Sequence, residues 1–73
     1  MTHTFHCETA DVQVTSTMEA LGDQPFVCIV TGHGDLPVET IVVEAPYPFN
    51  AAQEALDIYK ERHKLNLSET WAL

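Results

Sequence analysis

VETIVVEAPYPFNAAQEALDIYKERHKL, Val38 to Leu65, reads as a β-branched strand, a Pro-Tyr-Pro corner and one amphipathic helix. On a helical wheel stepped at about 100° per residue, Ala51, Ala52, Ala55, Leu56, Ile58, Tyr59 and His63 share one side. Asn50, Gln53, Glu54, Asp57, Lys60, Glu61 and Lys64 take the other. A helix divided in this way needs an apolar surface to cover, and the strand Val38–Ala45 supplies part of one. Pro46 and Pro48 stop the strand from extending and turn the chain across it. Asn50 is the expected N-cap, with Gln53 three residues on as in a capping box. The cations near the helix end complement its dipole, and Asn66 is the expected stop.

Working back toward the N-terminus, Gly32-His33-Gly34-Asp35-Leu36-Pro37 reads as a loop. Phe26–Thr31 (FVCIVT) is apolar on both faces, which suits the interior of a sheet. Gly22-Asp23-Gln24-Pro25 is a turn, since glycine permits positive φ and proline cannot pair inside a central strand. From Ala10 to Ala20 the pattern alternates. Ala10, Val12, Val14, Ser16, Met18 and Ala20 face one way, and Asp11, Gln13, Thr15, Thr17 and Glu19 the other. Met1–Cys7 reads either as a frayed end or as the start of the first strand. Leu67–Leu73 either covers the helix–sheet core or forms a small edge strand. The expectation is a single α+β domain over residues 1–73, with residues 1–8 either frayed or entering the first strand. Its order is β-β-β-α: a three-stranded antiparallel sheet, one helix on one face, and room for a short C-terminal element.

Charge is the most informative part of the composition. Eleven acidic residues stand against three basic ones, a formal net charge of −8. All the basic residues, Lys60, Arg62 and Lys64, lie at the end of the predicted helix, and residues 1–59 contain neither Lys nor Arg. Phosphate backbones repel such a chain, so neither direct nucleic-acid binding nor an anionic membrane surface is expected. The sequence has no apolar run of about 18 residues. Met1–Glu8 lacks the basic and apolar regions of a signal peptide, so the expected location is cytoplasmic.

Chemistry-bearing residues are sparse. Cys7 and Cys28 are too few for a disulfide framework, although one bridge between them is conceivable in an oxidising environment. His3, His6 and Cys7 are close in sequence, and Cys28 precedes His33 by five positions. These are zinc-type ligands without paired spacing, so no metal site is assigned, and a small metal-binding domain stands as the third functional alternative. His63 reads as a packing residue near the helix end rather than a ligand or base. Adjacency of His6 and Cys7 does not create nucleophile–base geometry, and Gly32-His33-Gly34 is not a phosphate loop. No enzyme activity and no cofactor are expected.

Carboxylates two apart on a strand are separated by about 6.5–7 Å, near the phosphate repeat of one DNA strand. Asp11, Glu19, Asp23, Asp35, Glu39 and Glu44 are therefore the candidate partner-binding residues. Their expected partner is a basic nucleic-acid-binding protein. In the stretch VVEAPYPFNAAQEALDIYKERH, Val42–His63, a strand ends in Glu-Ala, turns a corner and enters a helix with inward alanines. This looks like a strand-to-helix unit that recurs in many small phage proteins, and at the level of architecture the chain resembles small acidic phage-encoded inhibitors, including anti-CRISPR and DNA-mimic proteins. The resemblance implies inhibition of a nucleic-acid-handling target by surface blocking, without a cofactor. The alternative is an assembly module that forms a homodimer through exposed strand edges or Phe26–Thr31, with acidity serving solubility.

Overall fold

The computed structural model describes residues 2–16, 22–66 and 70–72. The order is β1 (Thr2–Cys7), β2 (Ala10–Ser16), β3 (Gln24–Gly32), β4 (Val38–Ala45), α1 (Pro48–His63) and β5 (Trp71–Ala72). All strands join one antiparallel sheet in the spatial order β4-β3-β2-β1-β5. Among the described residues the sheet thus has five strands, which corrects the three-stranded expectation.

The physical reason lies at both ends of the chain. In β1, His3, Phe5 and Cys7 fall on one face and Thr2, Thr4 and His6 on the other. The two-residue turn at Glu8 and Thr9 pairs this strand with β2, Phe5 opposite Val12 and His6 opposite Asp11. Trp71 then pairs with Cys7 and Ala72 with His6, so β5 covers the outer edge of β1. The backbone bond from Glu8 N–H to the Thr70 carbonyl, 3.0 Å, extends that pairing. The expected outward Thr17 and Glu19 lie outside the described residues.

Even positions of β2 and β3 and odd positions of β1 and β4 face the helix. Val12, Val14, Phe26, Cys28, Val30, Ile41 and Val43 pack there against Ala51, Ala52, Ala55, Leu56 and Tyr59. Phe26, Leu56 and Tyr59 are almost wholly buried, and burying side chains of this size contributes about 1.5–3 kcal/mol each. The three alanines let the helix backbone approach the sheet. Gly32 serves the same end, because a Cβ there would sit 2.3 Å from Leu36 Cβ and 2.8 Å from the Tyr59 hydroxyl oxygen.

The helix starts earlier than the capping-box reading expects. Tyr47 is the N-cap, with extended backbone and no side-chain capping bond, and Pro48 occupies the first turn. Proline is preorganised for that position and has no N–H to satisfy, so it outweighs the weaker Asn50 signal. The helix ends at His63, before Asn66. Lys64 adopts left-handed backbone (φ 52°), and the Leu65 N–H reaches the Lys60 carbonyl at 2.8 Å.

Candidate binding edge and the histidine–carboxylate clusters

One face of the sheet is covered by α1, and the other carries Asp11, Gln13, Thr15, Val27, Ile29, Thr31, Val38, Thr40, Val42 and Glu44. Register decides this: Val27 lies opposite Val42, Ile29 opposite Thr40, Thr31 opposite Val38, and Pro25 opposite Glu44. The middle of the face is therefore valine, isoleucine and threonine, with Asp11 and Glu44 toward opposite ends. Among the described residues, the exposed large hydrophobics are Val38 (62%), Val42 (63%) and Tyr47 (68%). All lie on β4 or at the corner that follows it.

β4 is also an edge. Among the described residues nothing pairs with its outer side, whereas the opposite edge of the meander is covered by β5. Its pairing with β3 runs without a bulge from Val38 to Ala45, and it carries no lysine or internal proline. Monomeric proteins ordinarily blunt such edges with those features.

The candidate carboxylates do not converge on this face. Asp11 pairs across the sheet with Thr31, at the end where the β3–β4 loop carries Asp35. Asp23 and Glu44 belong to the other end, where Gln24 pairs with Ala45. Glu39 faces the helix side, and Glu19 lies outside the described residues.

Two of these carboxylates are engaged within the molecule. The Glu39 carboxylate takes Arg62 on one oxygen and His63 on the other, joining the start of β4 to the end of α1. The Arg62 guanidinium, then the His63 ring, hold its carboxyl below the ordinary value. Beside this clamp the Tyr59 hydroxyl donates to the Pro37 carbonyl at 2.6 Å, and desolvation pushes its phenol up. The His63 ring packs tilted against Tyr59, centroids 4.8 Å apart, while its Nε2 meets Glu39.

Asp11 receives two histidines. His6 Nδ1 lies 2.8 Å and His33 Nε2 3.4 Å from the same oxygen, while His33 Nδ1 lies 3.1 Å from the Glu8 carbonyl. The hydrogen bond from His6, foremost, lowers the Asp11 pKa. The signal for the His6 contact is the tight β1–β2 turn, since hairpin register makes positions 6 and 11 cross-strand neighbours. His33 arrives from a loop, and no spacing rule announces it. Among the described residues, no group of three or more His, Cys, Asp or Glu side chains is disposed to hold a metal ion.

Cys7 and Cys28 are both buried, and neither is in a disulfide. Cys28 pairs with Val14, and Val14 with His3, so Cys7 lies two strands across and four residues along. Ordinary strand spacing and rise put their Cα atoms about 16 Å apart, beyond the roughly 7 Å a bridge spans. Burial, with a smaller contribution from Glu54, pushes the Cys28 thiol up to about 11. No described helix is long and apolar enough to cross a membrane. No protein-family model matches the chain, and neither the curated proteins nor the solved structures provide a match.

Proposed function

We propose that the chain is a non-catalytic protein-binding module that works by strand addition along β4. The observation that carries this reading is the coincidence of the open edge with Val38, Val42 and Tyr47, the exposed large hydrophobics of the described residues. Backbone N–H and C=O groups on such an edge supply main-chain affinity, and alternate side chains supply selectivity. Solvent-exposed apolar side chains gathered beside unpaired backbone mark an association surface. The net charge of −8 disfavours phosphate ligands and keeps so open a sheet dispersed.

The test uses a soluble octapeptide alternating valine with threonine as a probe strand, titrated into the isotopically labelled protein. Amide shifts concentrated at Val38–Ala45 are expected, with weaker ones on β3. A peptide carrying proline at its centre should produce none. Shifts confined to α1, or none with either peptide, would overturn the reading.

A second reading keeps the acidic inhibitor of a basic nucleic-acid-handling protein. It is favoured by the absence of any Lys or Arg before residue 60. It predicts that reversing Asp23 and Asp35 to lysine weakens binding to such a target while leaving the edge intact.

A further inference from the structure

We infer that the strand added at β4 is β4 of a second copy of this chain, antiparallel and centred on Val42. The inference rests on the strand-addition reading above and names its occupant. Antiparallel neighbours share a face, so a two-fold axis relating identical strands must pass through a residue rather than between two. With the axis on Val42, position i meets position 84 minus i. Val42 then lies beside Val42 of the second copy, Val38 beside its Pro46, and Thr40 beside its Glu44.

This register matches the edge to itself at each exposed hydrophobic. Val27 already lies opposite Val42, so the joined sheet carries four valines in one row. Val38 and the second copy's Pro46–Tyr47 corner cover one another, twice by symmetry. No carboxylate stands opposite a carboxylate, a juxtaposition that would destabilise the pairing. Moving the axis to Ile41 instead places Val38 against Glu44 and leaves Tyr47 uncovered.

Charge at the edge also favours a second copy over a basic strand. Glu39 is held by Arg62 and His63 on the helix side. That leaves Glu44 as the remaining carboxylate of the strand. The acidity of the chain therefore lies elsewhere and does not select a cationic partner here. An eight-residue junction is small, so association in the micromolar range is expected. Two chains of charge −8 repel at long range, so association should strengthen as salt rises from about 0.1 to 1 M.

Sedimentation velocity from about 1 µM to about 1 mM tests this across the relevant affinity range. The expected result is a concentration-dependent rise from 8.1 kDa to twice that mass. Val42→Lys and Val42→Glu should each remain monomeric over the whole range, and an equimolar mixture of the two should dimerise again. Val42 is exposed, and far-UV circular dichroism of dilute samples should show both variants folded. Wild-type protein that stays at 8.1 kDa throughout overturns the inference. If the probe strand still binds β4 in that case, only the second copy is excluded as the occupant. Wild-type dimers that Val42→Lys leaves unchanged overturn the strand-addition reading along with it. Self-association that weakens as salt rises overturns this register, because no opposite charges face one another across it.

Discussion

Replacing Gly32 by alanine tests how closely α1 docks on the sheet. The added Cβ would lie 2.3 Å from Leu36 Cβ, 2.9 Å from Leu36 Cδ1 and 2.8 Å from the Tyr59 hydroxyl oxygen. Leu36 Cβ cannot retreat by rotation, because it is fixed to the backbone of the β3–β4 loop. The hydroxyl can retreat only by giving up its 2.6 Å bond to the Pro37 carbonyl. Overpacking of this kind costs about 1–3 kcal/mol, and a lost hydrogen bond adds about 0.5–1.5 kcal/mol. The expected loss is therefore about 1.5–4.5 kcal/mol, a large part of the roughly 4–11 kcal/mol total for a chain of this length. Urea unfolding followed by circular dichroism measures it, with Gly34→Ala as the control. Gly34 has φ 74° and open space around its Cβ position, so the control carries only backbone strain, about 1 kcal/mol. A Gly32→Ala loss no larger than that of Gly34→Ala would refute the close-approach argument.

Three further outcomes follow from the same geometry. The folded pKa of Glu39 lies below its ordinary 4.5. Its contribution is therefore complete above that value and disappears as pH falls through the lowered folded value. Thermal unfolding between about pH 6 and pH 2 should show Glu39→Gln losing less stability on acidification than wild type; parallel curves would contradict the clamp. Cys28 is buried with its thiol pushed up to about 11, so alkylation at pH 8 should proceed only as fast as the protein opens. Labelling in step with a free thiol would place Cys28 elsewhere. Ala55 is fully buried under the sheet, so Ala55→Leu should cost about 1–3 kcal/mol in urea unfolding, whereas Gln53→Leu on the outer face should change stability by less than about 0.5 kcal/mol.

The helix and the strand from Ala10 were legible from their periods, whereas Phe26–Thr31 and Val38–Ala45 were legible as short β-branched apolar runs bounded by Gly and Pro turns. Alternation in Ala10–Ser16 and the alanine stripe of α1 each leave one arrangement that buries the apolar face. β1 carried its signal more weakly, in Phe5 and Cys7 with His3 as the third inward position. β5 is two residues long and has no period to read. The site was less accessible still. The sequence shows Val42 and Val43 side by side, but only pairing with β3 determines that Val43 turns inward and Val42 outward. The same register sends Glu39 to the helix side, where a carboxylate that sequence alone offered to a partner meets Arg62 and His63. Edge position is a property of strand order, and strand order depended on where the N-terminal residues went.

Amide hydrogen exchange of Val38–Ala45 tests the association edge most directly, measured on dilute protein, on concentrated protein and with saturating probe strand. Alternate β4 amides point away from β3. Fast exchange is expected at those positions in the dilute sample, and marked slowing in the other two. Amides bonded to β3 should change far less. Exchange along β4 that is identical in all three samples would rule out strand addition there, because a strand that accepts a neighbour must protect its outward N–H groups.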